Sequence, residues 1–185
     1  SLDEISRRDV PSGWTIRQGT LYRRKWDRRN NTHIDEPVGI DRTPLITAHV
    51  IDVQTEAWHV EIETPTIGGG SKHIVARRSV VGSKRAIIAL ADDGLDVTGK
   101  TAVPMVEWLD DYQRHNKLPV VHGSDQFGWH GDRSENNLTF LLGRRTIGPM
   151  EIRYTGDQVK LLSSIHTRGT MAQWRAIRSE ERRVG

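Results

Sequence analysis

A chain of 185 residues, 35% apolar and 28% charged, suits one domain with a sizeable core, or one domain plus an appendage. The absence of cysteine excludes a disulfide framework and a thiolate zinc site and fits a cytoplasmic protein; no apolar run approaches a membrane span, so no membrane partner is expected. The net charge of +3 says little, but its distribution is uneven: residues 1–29 hold eight basic and four acidic side chains, and residues 92–111 hold six acids against one lysine.

The ends read as a leader over residues 1–10 and a tail over 180–185, as in a piece excised from a larger protein, with a single β-rich domain over 11–179. Trp14–Arg17 and Thr20–Trp26 flank Gln18-Gly19, the signal of a hairpin. The polar stretch Arg28 to Asp41, with Asn30-Asn31 and Pro37, reads as a loop. Pro44 to Val53 and Ala57 to Glu63 predict two strands joined by a tight turn at Gln54 to Glu56. In the second, Trp58, Val60 and Ile62 alternate with polar residues, which puts those three on one face. A glycine-rich turn over Thr64 to Ser71 leads to a further strand, Lys72 to Val80.

The middle predicts helices. Ser83 caps a helix over about 82–93, and Gly94 follows where a left-handed terminal residue is wanted. Thr101 caps a second over 101–115, with Pro104 in its first turn and Met105, Val106, Leu109 and Tyr112 at helical spacing. Short strands follow at Val120–His122, Leu138–Leu142, Met150–Tyr154 and Val159–Ser163. A last helix over 170–179 opens with Thr170 and Gln173 as a capping box. The fold class expected is α+β, mostly antiparallel β with three helices.

One motif matches a known chemistry in full. Gly94-Leu95-Asp96-Val97-Thr98-Gly99-Lys100-Thr101 fits the phosphate-binding loop pattern, in which backbone amides cradle phosphates and the lysine and hydroxyl hold the outer phosphate and Mg²⁺. Its context argues otherwise. Asp92-Asp93 would stand beside a triphosphate, and a helix starting at Gly99 would carry Pro104 inside it at a cost of about 3 kcal/mol. A small nucleotide-binding protein using Gly94–Thr101 therefore stays an alternative, and the favoured reading is helix, glycine stop, loop, capped helix. Eight histidines form no metal-binding spacing, although His49 and His59 are candidates to face each other across neighbouring strands, and His115, His122 and His130 lie close in sequence. No catalytic residue, cofactor or metal ligand is assigned to this region.

The stretch Tyr22-Arg23-Arg24-Lys25-Trp26-Asp27-Arg28-Arg29 interleaves aromatics with cations. On a strand, Tyr22, Arg24 and Trp26 share a face suited to base stacking and phosphate neutralisation; the competing reading buries Tyr22 and Trp26 in the core. The candidate nucleic-acid contacts are Arg23, Arg24, Lys25, Trp26, Arg28, Arg29, Arg77, Arg78, Lys84, Arg85, Arg144 and Arg145.

The order of these segments resembles a family. Gly13-Trp14 with Gly19-Thr20-Leu21-Tyr22, Pro44-Leu45-Ile46-Thr47-Ala48 with Trp58-His59-Val60-Glu61-Ile62, and Val75-Ala76-Arg77-Arg78-Ser79 carry the likeness. So do Leu90 to Gly94, Val106 to Tyr112, Phe127-Gly128-Trp129, Phe140-Leu141-Leu142-Gly143 and Gly169-Thr170-Met171-Ala172-Gln173-Trp174. Over about residues 11 to 178 they resemble the helicase-like family catalogued as domain of unknown function number 927. The resemblance implies that an AAA+-like P-loop ATPase, binding ATP and Mg²⁺, follows in the full-length protein, often a replication protein of a phage or mobile element. It implies a non-catalytic collar that contacts DNA, single- or double-stranded, docks its own motor or supports a homo-oligomeric ring. Arg144-Arg145 depart from the family pattern, which leads one to expect an acid nearby. The rival is a protein-interaction module without nucleic-acid affinity, docking through Asp92–Asp111.

Overall fold

The computed structural model describes residues 10–131, 137–142 and 145–156. β1 (Trp14–Arg17) and β2 (Thr20–Asp27) form the hairpin expected from the sequence, with Arg17 registered on Thr20. Gln18 and Gly19 take φ of 51° and 86°, the left-handed pair that a two-residue turn between twisted strands requires. The stretch read as a loop contains a third strand, β3 (Thr32–Pro37), which pairs with β2 from Tyr22↔Pro37 to Asp27↔Thr32. Five of its six residues are exposed and only Asp35 is half-buried, so no apolar alternation announces it.

β4 (Leu45–Asp52), β5 (Trp58–Pro65) and β6 (Ser71–Arg77) follow as an antiparallel meander. Then come α1 (Arg78–Val81), a 3-10 helix over Ile87–Ala91 and α2 (Ala102–His115). β7 (Val120–Ser124) returns alongside β4 in parallel, a pairing that needs the long crossover just traced. β8 (Gly128–His130), β9 (Thr139–Leu142) and β10 (Arg145–Ile147) make a small antiparallel sheet. β11 (Ile152–Tyr154) adds to β7, again in parallel, giving the larger sheet the order β11-β7-β4-β5-β6. The class is α+β with mostly antiparallel pairing.

The helical middle differs from expectation. No continuous helix runs over 82–93. The strand β6 stops at Arg77, the short α1 follows, and Gly82 closes it. The Ser83 hydroxyl does accept the Ala86 amide, at 3.3 Å, but this bond lies in the turn before the 3-10 helix, whose own N-cap, Ala86, has no side-chain bond. Only Ile87 and Leu90 of that turn are buried. Their spacing of three matches the 3-10 period and leaves nothing to hold a longer α-helical stripe. Gly94, with φ of 100°, ends the segment as expected. Its amide bonds the Ala91 carbonyl and the Leu95 amide bonds the Leu90 carbonyl, with Leu90 and Leu95 both in the core. The helix proposed over 170–179 and the strand Val159–Ser163 lie outside the described residues.

α2 packs on one face of the larger sheet through Met105, Trp108, Leu109 and Tyr112. Trp108 is fully buried, meets Trp14 edge-on at 5.7 Å between centroids, and donates its Nε1–H to the Pro44 carbonyl at 2.7 Å. The Trp14 Nε1–H donates to Asp111 Oδ2 at 2.8 Å, fastening β1 to α2. A second cluster gathers Leu141, Ile152 and Tyr154 with Phe127 and Met150.

A β-bulge decides what else the sheet presents. Ile46 pairs with Ile62 and Ala48 with Glu61, so the irregularity between Ile46 and Ala48 puts these two residues on opposite faces. Beyond it, His49 registers on Val60 and Val50 on His59. His49 and His59 therefore point to opposite faces and do not meet, contrary to the sequence expectation.

Candidate nucleic-acid interface

The proximal half of the β1–β3 sheet joins the core through Trp14 and Leu21, and the distal half stands in solvent: every residue from Arg28 to Ile34 is exposed. Trp26 is 50% exposed, with His33 edge-on against it at 4.9 Å, and Tyr22 is half-buried. Trp26 is thus not a core residue. The register puts Tyr22, Arg24 and Trp26 on one face, opposite Pro37, Asp35 and His33, as the strand alternation requires.

The candidate cations divide into engaged and unengaged. Arg23 donates to Glu107 Oε2 at 2.6 Å and lies over the Trp14 ring at 5.4 Å. Arg17 and Arg24 share Asp35 at 2.5 Å and 3.2 Å, Arg17 also covering the Tyr22 ring at 5.2 Å, and Lys25 pairs with Glu36. Exposed pairs of this kind contribute about 1 kcal/mol or less, so a phosphate can compete with the carboxylate. Arg28, Arg29, Arg77, Arg78, Lys84, Arg85 and Arg145 are exposed and make no ion pair among the described residues. Arg144 lies outside the described residues.

Six of these seven unengaged cations form two groups, and Arg145 stands apart on β10. Arg28 and Arg29 cap the hairpin between β2 and β3. There Asp27 is spent on the turn, accepting the Arg29 amide at 2.9 Å and the Asn30 side-chain amide at 2.7 Å, and these bonds hold its carboxyl below the usual range. Arg77, Arg78, Lys84 and Arg85 lie at the end of β6, in α1 and in the turn after it. No acid occurs between Glu63 and Asp92 to offset them.

The sequence did not reveal a third feature. Trp58 does share the face of Val60 and Ile62, but it lies at the end of β5 and is 46% exposed. Ile51 registers on both Trp58 and His122, and His49 on both Val60 and Val120. Trp58, Ile51, His49, His122 and Val120 therefore tile one end of the core face. Val120 is 57% exposed and His122 is exposed, whereas the stretch of that face under α2 is buried. His49 meets Trp58 edge-on at 6.1 Å, and its Nδ1 is buried without a partner. Burial, reinforced by the Arg78 charge, lowers the His49 pKa, so the ring is neutral near pH 7. A sequence signal for this platform exists only in hindsight: the bulge at Thr47, which sets the face of His49, has no local signature.

The segment Gly94–Thr101 has a local structure of its own. It follows the 3-10 helix, not a buried parallel strand. The Thr98 amide donates to Thr101 Oγ1 at 2.8 Å, and the Thr101 amide donates to Thr98 Oγ1 at 3.3 Å, a reciprocal pair of the capping-box type. Pro104 is the third residue of α2, where an amide would have no intrahelical acceptor. Among the described residues no group of three or more His, Asp or Glu is placed to hold a metal ion, and no helix is long and apolar enough to cross a membrane.

The acidic stretch is largely committed to the fold. Asp96 accepts the amides of Asp41 and Arg42 and pairs with Arg42 at 3.3 Å. Glu107 holds Arg23, Asp110 pairs with Arg114 at 2.8 Å, and Asp111 holds Trp14.

The family model described as "Domain of unknown function (DUF927)" matches residues 15–183. No curated protein matches the chain.

Proposed function

The chain belongs to the DUF927 family, and we propose that it is a nucleic-acid-contacting, non-catalytic domain of an ATP-driven DNA helicase or translocase of a phage or mobile element. The observation that supports this reading is the set of unengaged cations, Arg28 and Arg29 on the standing hairpin and Arg77, Arg78, Lys84 and Arg85 around α1. Clustered, desolvation-free arginines beside an exposed tryptophan suit a phosphodiester backbone with accessible bases, since guanidinium binds phosphate in a fork and indole offers a stacking face. ATP and Mg²⁺ belong, on this reading, to a separate P-loop motor of the same protein, to which this domain couples its grip or its ring assembly. The Thr98–Thr101 bonds favour treating Gly94–Thr101 as a helix entry and not as a phosphate loop. Docking of a basic partner through Asp92–Asp111 is the less favoured alternative, because Asp96, Glu107, Asp110 and Asp111 already have partners within the chain.

The test is fluorescence anisotropy with labelled 20-nucleotide DNA, single- and double-stranded. Replacing both Arg28 and Arg29 by alanine, or both Arg77 and Arg78, should weaken binding about tenfold at moderate salt. Arg114→Ala, which removes a cation already paired with Asp110, should leave it unchanged. Equal affinity in all variants, or none in the parent chain, contradicts the reading.

A further inference from the structure

The uncovered end of the sheet's core face has a chemistry of its own. Three adjacent strands bring an exposed indole, two imidazoles and two branched aliphatic side chains onto one surface: Trp58 from β5, His49 and Ile51 from β4, Val120 and His122 from β7. The surface is flat because side chains on one face of a sheet stand side by side, and it is apolar enough to welcome a π-face. Its border is cationic. β6 lies next to β5 and ends at Arg77, which registers on His59 and so stands on the face opposite Trp58; α1 then opens with Arg78, which lines one small cavity with Val60 of the platform's own face and Val106, and whose charge reaches the His49 ring.

Apolar rings beside an unpaired guanidinium group do not suit a protein partner of ordinary mixed charge. They suit a polymer that alternates a planar base with a phosphate. A duplex hides the faces of its bases, so only an unpaired strand can use both halves of this surface.

Resting on the nucleic-acid reading above, we propose that this platform binds single-stranded nucleic acid. One base stacks on Trp58 while Arg78 holds a neighbouring phosphate. The site is separate from the β2–β3 hairpin, and its specificity is for an unpaired strand, not for a base sequence, because every base has a face to stack.

The experiment uses the 185-residue chain with four labelled probes: a 20-nucleotide oligothymidylate, oligouridylate of the same length, a 20-mer of abasic sites and a 20-base-pair duplex. Trp58→Ala should weaken oligothymidylate and oligouridylate binding about tenfold, the scale of one stacked base, and leave the abasic and duplex probes unaffected. Trp58→Tyr should retain most of the affinity. Trp129→Ala, which removes a still more exposed indole from β8, should change nothing. Loss on oligothymidylate alone would assign the site to DNA and loss on oligouridylate alone to RNA, both within the proposal. If Trp58→Ala binds both strands as the parent does while Arg77→Ala with Arg78→Ala weakens them, the platform is overturned and the nucleic-acid reading survives. If the parent chain binds no probe, both fall.

Discussion

At the scale of single residues, Asp52 and His49 show how burial is made tolerable and what it implies for acid stability. Asp52 ends β4 almost fully buried. Its Oδ1 accepts the Gln54 amide at 3.1 Å, the Thr55 amide at 2.8 Å and the Thr55 hydroxyl at 2.9 Å, and its Oδ2 accepts the Thr155 hydroxyl at 2.8 Å. Burial pushes its pKa up, and these bonds to the charged form outweigh that, leaving it below the usual carboxylate value. The folded chain thus binds a proton less readily than the unfolded one. The stabilisation is complete above about pH 4 and is lost as the pH falls through the folded value. His49 has the same sign at a higher pH: its ring is kept neutral in the fold, so stability is full above about pH 6.5 and declines as the pH drops below it. Thermal melts from pH 8 to pH 3 should therefore lose stability in two steps. His49→Gln should flatten the first, and Asp52→Asn should flatten the second while costing about 2 kcal/mol near neutrality. Unaltered profiles in both variants would contradict this account. The sequence marks Asp52 only as the end of a strand before a turn, because Thr155, its partner 103 residues away, is invisible to local pattern.

At the scale of elements, legibility follows periodicity. β4 and β5 were readable because they are rich in Val, Ile, Thr and Trp, although β5 buries His59 to Ile62 in succession, and α2 because Met105, Leu109 and Tyr112 recur at helical spacing; Trp108 completes that buried stripe where the sequence pointed to Val106, which is only partly buried. β3 was not readable, since a strand exposed on both faces has no apolar rhythm; cross-strand partners such as Asp35 on Arg24 and His33 on Trp26 hold it instead. The 3-10 helix was misread as α because Ile87, Ile88, Leu90 and Ala91 fit a helical face on paper, while the structure buries only two of its residues. α2 owes its position to Trp108, which fills space against Trp14 and Tyr112 and satisfies the Pro44 carbonyl. Trp108→Phe should cost about 2–3 kcal/mol in chemical denaturation, combining lost volume with an unsatisfied buried carbonyl, and Trp108→Ala about 3–5 kcal/mol. A loss below about 1 kcal/mol for both would show that α2 is held by something else.

At the scale of the whole molecule, the parallel placement of β7 and β11 could not be read from any segment, because it depends on where the crossover through α2 returns the chain. That return creates both the tie between Arg153 and buried Glu61, at 2.8 Å across 92 residues, and the open end of the core face beside β7. The same holds for the candidate interface. The sequence named the basic residues, but only the fold separates Arg23, Arg24 and Lys25, which have carboxylate partners, from Arg28, Arg29, Arg77, Arg78, Lys84 and Arg85, which have none among the described residues. An interface built on free cations must release counterions from the strand it binds. The most direct measurement is the affinity of the chain for a 20-nucleotide single strand between 50 and 200 mM salt. The expected result is a linear fall of log K against log salt with a slope of roughly −3, flattened by about 0.7 for each contacting arginine replaced with alanine. Binding that ignores salt, or no binding at the lowest salt, would contradict the central claim.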